Sequence, residues 1–196
     1  MVSASLPTLI LGIGNLIMTD DGAGVRVIQL LQERYRFPEN IDIIDGGTLG
    51  LDLLPYLDGI QRLIVVDAME TGGPPGTLVR IAGEEIKVAF RTMLSPHQVG
   101  LRDLLLVAGL QGFAPEEMIL LGVQPEEIGM GSELTAVVTA QVEKLVSGVL
   151  RELAAWGVTL EEKAPLLPRG GFPPMARQGR ISLAQQLHDS LVPPQR

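Results

Sequence analysis

The stretch Thr8-Leu9-Ile10-Leu11-Gly12-Ile13-Gly14-Asn15-Leu16-Ile17-Met18-Thr19-Asp20-Asp21-Gly22-Ala23-Gly24-Val25 decides the fold class. Residues 8–13 are an apolar run ended by glycine and asparagine, the pattern of a strand buried on both faces of a parallel sheet. Two acids then precede Val25, Ile28, Leu31 and Tyr35, which recur at helical spacing. Asp20 or Asp21 is therefore expected to cap a helix, and Pro38 to end it.

The alternation of strand and helix continues downstream. Residues 40–45 read as a second strand running into a Gly46-Gly47-Thr48 turn, 49–58 as a short helix, and 62–67 as a third buried strand. After the Gly72–Gly76 turn, residues 77–82 read as a strand returning antiparallel. Residues 97–110 read as a helix, 117–123 as a central strand, and Ser132 as the cap of a long helix stopped by Gly157. The expected class is α/β: a three-layer sandwich, a mostly parallel twisted sheet of about five strands, one antiparallel, with helices on both faces.

Composition bounds the function. With 196 residues, 46% of them hydrophobic, the chain has ample apolar surface for a core, which excludes global disorder. The absence of cysteine excludes a disulfide scaffold, a thiolate metal site and a cysteine nucleophile. The net charge of −8 disfavours nonspecific nucleic-acid binding. It is unevenly spread: residues 1–162 hold 10 basic and 22 acidic residues, whereas Lys163, Arg169, Arg177, Arg180 and Arg196 face only Asp189 in residues 163–196. Residues 164–178 contain four prolines and two glycines, so two parts are expected, an α/β domain at 1–162 and a basic Pro/Gly-rich tail at 163–196. A short helix bearing Leu183, Leu187 and Leu191 is possible in that tail. The first residues lack a basic leader pattern and no stretch reaches the roughly 20 apolar residues of a membrane span, so a cytoplasmic, monomeric protein without a membrane partner is expected.

In an open parallel sheet, ligands bind beyond the carboxyl ends of the strands near the switch in strand order. The polar residues at those ends are Asn15, Asp20, Asp21, Asp45 and Asp67. Taken singly, each acid has an ordinary reading as a cap or turn residue; taken together, they converge on one edge. Asp67 follows four apolar residues, a costly place for a carboxylate unless a positive group meets it. His97, in Ser95-Pro96-His97-Gln98, is the one histidine of residues 1–162 and stands at a loop–helix junction. Two carboxylates and an imidazole with open positions suit a divalent first-row metal, or can position a water as general base. The Gly12-Ile13-Gly14 pair lacks the third glycine of a dinucleotide fingerprint, and neither a nucleophile elbow nor a phosphate loop is present.

Four motifs in register, Gly12–Val25, Asp45-Gly46-Gly47-Thr48, Val65-Val66-Asp67-Ala68 and Ser95-Pro96-His97-Gln98, make the chain resemble the hydrogenase maturation endopeptidases over roughly residues 8–157. The resemblance implies an enzyme that removes the C-terminal peptide from the precursor of a nickel–iron hydrogenase large subunit after nickel insertion. It implies metal ligation by Asp21, Asp67 and His97, with the nickel carried by the substrate and none held tightly by the resting enzyme. Asp21, Asp67 and Asp45 are the expected catalytic acids, and Gly46, Gly47 and Thr48 the substrate-binding turn, where glycine lets another backbone approach. Some family members carry glutamate where this chain has Asp21. Two other readings remain open on the residues alone: a non-catalytic nucleotide- or metal-binding α/β module, and an assembly protein built on an acidic body and basic tail.

Overall fold

A computed structural model describes residues 6–83, 85, 86, 89 and 96–164. The chain divides into Met1–Lys163 and Ala164–Arg196, and the expected linker and helix of the tail fall outside the described residues.

Strands β1 (Thr8–Ile13), β3 (Ile41–Gly47), β4 (Arg62–Ala68), β5 (Leu78–Ala82) and β6 (Glu117–Val123) form one sheet in the order β3-β1-β4-β6-β5. All pairings are parallel except β5 with β6. The expected five-stranded mixed sheet is what the chain builds. A small antiparallel ribbon, β2 (Tyr35–Arg36) with β7 (Glu161–Glu162), is an addition that two-residue strands leave no pattern to announce.

Helices α1 (Ala23–Arg34), α2 (Pro96–Gln111) and α3 (Ala136–Ala155) flank the sheet. Because successive side chains of a strand point to opposite faces, the strands feed two cores. Ile10, Ile64, Val66 and Leu121 pack with Ile28 and Leu31 of α1 and with Leu145 and Val149 of α3. Leu9, Leu11, Leu63, Val65 and Leu120 pack on the other face with Leu53, Leu57, Leu101 and Leu104. Every residue of β1 is buried, so the run 8–13 reads as it does because both faces are covered.

Three local expectations are corrected. Neither Asp20 nor Asp21 caps α1: both lie in a 3-10 turn, Thr19–Gly22, and the N-cap is Gly22 with no side-chain bond. Pro38 does not end that helix, which stops at Arg34 because Tyr35 turns extended to pair with β7. Thr135, not Ser132, caps α3, its hydroxyl accepting from the Val138 N–H. Gly157 does follow the end of α3 with φ +76, the left-handed conformation that glycine adopts without steric cost. The helix expected at 49–58 is a 3-10 segment, Gly50–Leu57, interrupted by Pro55, which cannot donate to an α-helical ladder.

Gly14 of the Gly-x-Gly that failed as a dinucleotide fingerprint, together with Gly24, has a packing role. A Cβ at Gly24, in the first turn of α1, would lie 2.2 Å from the Val66 carbonyl oxygen and 2.4 Å from that of Ile13. A Cβ at Gly14, whose φ is +130°, would lie 1.8 Å from the Asp21 carbonyl oxygen. The tips of β1 and β4 and the start of α1 are thus in backbone contact. Gly24→Ala should destabilise the protein by about 3 kcal/mol or more, because backbone cannot yield as a side chain can. Urea midpoints would read it; a loss below about 1 kcal/mol would contradict this packing.

Candidate active site

From β1 the chain moves to β3 on one side, then returns past β1 to β4 on the other, so the switch in strand order lies at β1 and β4. Beyond their carboxyl ends sit the residues singled out in the sequence. Asp67, the sixth residue of β4, is 1% exposed and stands level with Gly122 of β6. Asp21 is also 1% exposed, and its Oδ2 accepts the Asn15 N–H at 2.8 Å. The contact of Gly24 with Val66 seats the turn that carries Asp21 beside the strand that carries Asp67. The Ala23 N–H that opens α1 donates to the Asp20 carbonyl oxygen, so the 3-10 turn that carries Asp21 runs directly into the helix.

Asp20 has a different job from its neighbour. Fully buried, it accepts from the N–H groups of Glu126 at 2.9 Å, Glu127 at 3.1 Å and Thr135 at 2.7 Å, and from the Thr135 hydroxyl at 3.0 Å. It fastens the 3-10 turn to the loop that leads into α3. Thr19 reinforces the fastening: its N–H donates to Gly131 O at 2.8 Å and its hydroxyl to Glu127 O at 2.7 Å. These bonds hold Thr19 at φ +42°, a conformation that costs a β-branched residue about 1–3 kcal/mol. The site turn is therefore fixed before any ligand arrives.

Asp45 pairs level with Gly12, after which the register shifts and Gly46 is the unpaired extra residue. The Asp45 carboxylate is exposed and accepts the Gly47 N–H at 3.1 Å, an Asx turn, so its turn role is the one its hydrogen bond reveals. Gly46 is buried, Gly47 half-buried and Thr48 exposed. The Gly14 N–H donates to Gly47 O at 3.0 Å, joining this turn to the chain that bonds Asp21.

His97 is the second residue of α2. Its side chain lies outside the described residues, but Gly100 and Leu101 of the same helix line one pocket with Ile13, Gly47 and Thr48. Among the described residues no three His, Cys, Asp or Glu side chains gather closely enough to hold a metal. The expected ligand set spans that boundary, because Asp21 and Asp67 are described and the His97 imidazole is not.

One site-edge residue escaped the sequence reading. Gln124 follows β6, and its Oε1 accepts from the Thr71 N–H at 2.6 Å and the Thr71 hydroxyl at 2.9 Å, while its Nε2 donates to Glu70 at 2.9 Å. It anchors the segment that leaves Asp67. Its signal in the sequence is a polar residue just past an apolar strand, much as Asp67 stands near the end of β4.

The family model described as hydrogenase maturation protease matches residues 25–152. The hydrogenase 2 maturation protease of Escherichia coli (strain K12) is 38% identical over 76% of this chain and 92% of its own length. The hydrogenase expression/formation protein HupD of Rhodobacter capsulatus is 38% identical over 81% of this chain and 76% of its own. Among solved structures, the hydrogenase maturating endopeptidase HybD from Escherichia coli matches with a TM-score of 0.77 at 36% identity, over 81% of this chain and 98% of that one. The [NiFe] hydrogenase maturation protease HybD from Thermococcus kodakarensis matches with a TM-score of 0.65 at 31% identity, over 76% and 99%.

Proposed function

The chain belongs to the hydrogenase maturation protease family, and from that premise we propose that it removes the C-terminal peptide of a nickel-loaded [NiFe]-hydrogenase large-subunit precursor, reading the substrate's nickel as its signal. It is a hydrolase of the maturation endopeptidase kind. The observation that carries the finer reading is the pair Asp21 and Asp67, each 1% exposed, at the switch point of the sheet.

Carboxylates removed from water interact strongly with a divalent cation, since the surrounding dielectric is low. Nickel held by the precursor and met by Asp21, Asp67 and His97 gives the enzyme a large difference in affinity between loaded and empty precursor. That difference is how a metal becomes a checkpoint. The chemistry is hydrolysis by water: the oxygen adds to the scissile carbonyl carbon, the C–N bond breaks, and the water's proton passes to the departing amine. Either an acid of the Asp21, Asp67 and Asp45 set or the substrate's nickel activates that water, with no covalent enzyme intermediate. Gly46, Gly47 and Thr48 receive the extended peptide, and no metal of the enzyme's own is needed.

Intact-mass analysis of the precursor, with and without nickel, tests this. The unmutated chain should release a C-terminal peptide only from loaded precursor, and His97→Ala should slow release at least about 100-fold. Equal cleavage of empty precursor would remove nickel from the recognition step, and an unimpaired His97→Ala variant would remove the imidazole.

A further inference from the structure

The outer side of the turn that carries Asp21 presents apolar side chains to water. Ile17 is 59% exposed, Ile128 43% and Met130 84%, and none of them joins either core. Met18 and Gly131 form a parallel bridge, so Ile17 and Met130, one residue before each, stand level with each other. The Gly131 N–H donates to Ile17 O at 3.0 Å, and the Gly129 N–H to the Thr19 hydroxyl at 3.0 Å. Ile128 lies on the same loop, between Gly129 and the Glu127 carbonyl that Thr19 engages.

This patch is held rigid. The same bonds keep Thr19 in its left-handed conformation, and strained backbone of that kind persists where its surroundings over-determine it, most often at functional sites. An apolar surface ordered in advance loses little conformational freedom when a partner covers it. Its position says which partner. Ile17 stands two residues past Asn15, whose N–H bonds the Asp21 carboxylate, a separation of roughly 7 Å of extended chain. A nickel that meets Asp21 while the precursor still holds it therefore brings the folded body of that precursor over this turn. Charge gives the partner's rim. Residues 15–25 and 124–142 hold five acids and neither lysine nor arginine, and Glu126, Glu127 and Glu133 are exposed around the patch.

We propose that Ile17, Ile128 and Met130 form a docking surface for the folded body of the nickel-loaded precursor, on a face of that body with an apolar centre and a lysine- and arginine-rich rim. This rests on the protease reading above. The paired acids read the metal, which every loaded precursor carries; the docking surface reads which precursor carries it.

The test is the steady-state cleavage of loaded precursor, followed by intact mass, with the double variant Ile17→Gln/Met130→Gln. Glutamine keeps the bulk and adds no charge beside the acids, and both positions are exposed enough that the variant should melt with the parent. KM should rise at least about 10-fold with kcat within about twofold. Glu126→Gln/Glu127→Gln should lower kcat/KM and flatten its dependence on ionic strength. Leu110→Gln, at an 81% exposed position in the last turn of α2, should change neither constant. An unchanged KM in the first variant, a fall in kcat alone, or an equal rise in KM with Leu110→Gln overturns the docking surface and leaves the protease standing. Self-association of the parent that the first variant abolishes, with KM unchanged, gives the patch to a second copy of this chain and overturns it too. Failure of the unmutated chain to cut any loaded precursor overturns both readings.

Discussion

Asp67→Asn is expected to cut the rate of peptide release from loaded precursor by at least about 10³-fold, equivalent to about 4 kcal/mol of transition-state stabilisation. The amide has the shape of the carboxylate but carries no charge and turns one oxygen into a donor, which repels a cation. The loss is large because the residue is 1% exposed at the end of a strand, where water cannot replace the missing charge. Asp21→Asn should behave alike, while keeping through its carbonyl an acceptor for the Asn15 N–H. Thermal melting should place both variants within a few degrees of the parent. Activity within tenfold of the parent, at unchanged stability, would remove Asp67 from the chemistry.

Asp20→Ala is expected to do the opposite, removing stability first. Three backbone N–H groups and one hydroxyl lose their acceptor in a place that water does not reach. Each buried donor left unmet costs about 1–3 kcal/mol, and the losses overlap, so a total of about 4 kcal/mol is expected. For a chain of this size that lowers Tm by about 8–16 °C. The effect reaches α3, since the Thr135 hydroxyl that donates to Asp20 also caps that helix. Asp20→Asn, which keeps one acceptor oxygen, should lose less. A variant Asp20→Ala with the parent's Tm but no activity would make Asp20 a participant rather than a fastener.

Much of the fold was legible because its signals are local. The limits of β1 and β6 follow from uninterrupted apolar runs, and the return of β5 from the glycine-proline turn before it. Helix starts were less legible. A cap is defined by which hydroxyl reaches which N–H, and Ser132 and Thr135 are chemically alike; the register of the loop after β6 chose Thr135. The burial of Asp67 was legible from the four apolar residues before it, whereas the burial of Asp20 and Asp21 was not. Asp67 and Asp21 are enclosed, whereas Asp45 stays exposed in a turn bonded to Gly47.

The sequence alone determined the α/β class, the succession of strands and most of their ends, since burial on both faces and turn chemistry are written within each short segment. It also set four motifs in register, enough to name a family. The resemblance singled out Asp21 of the two adjacent aspartates; only the tertiary structure revealed that its neighbour Asp20 fastens the fold. In the 3-10 turn Thr19–Gly22, with about three residues per turn, neighbouring side chains leave in different directions, so each meets a different environment. The donors that claim Asp20 stand 106, 107 and 115 residues further along the chain. No local pattern encodes a hydrogen bond over that separation; it exists because the packed strands bring the two loops together.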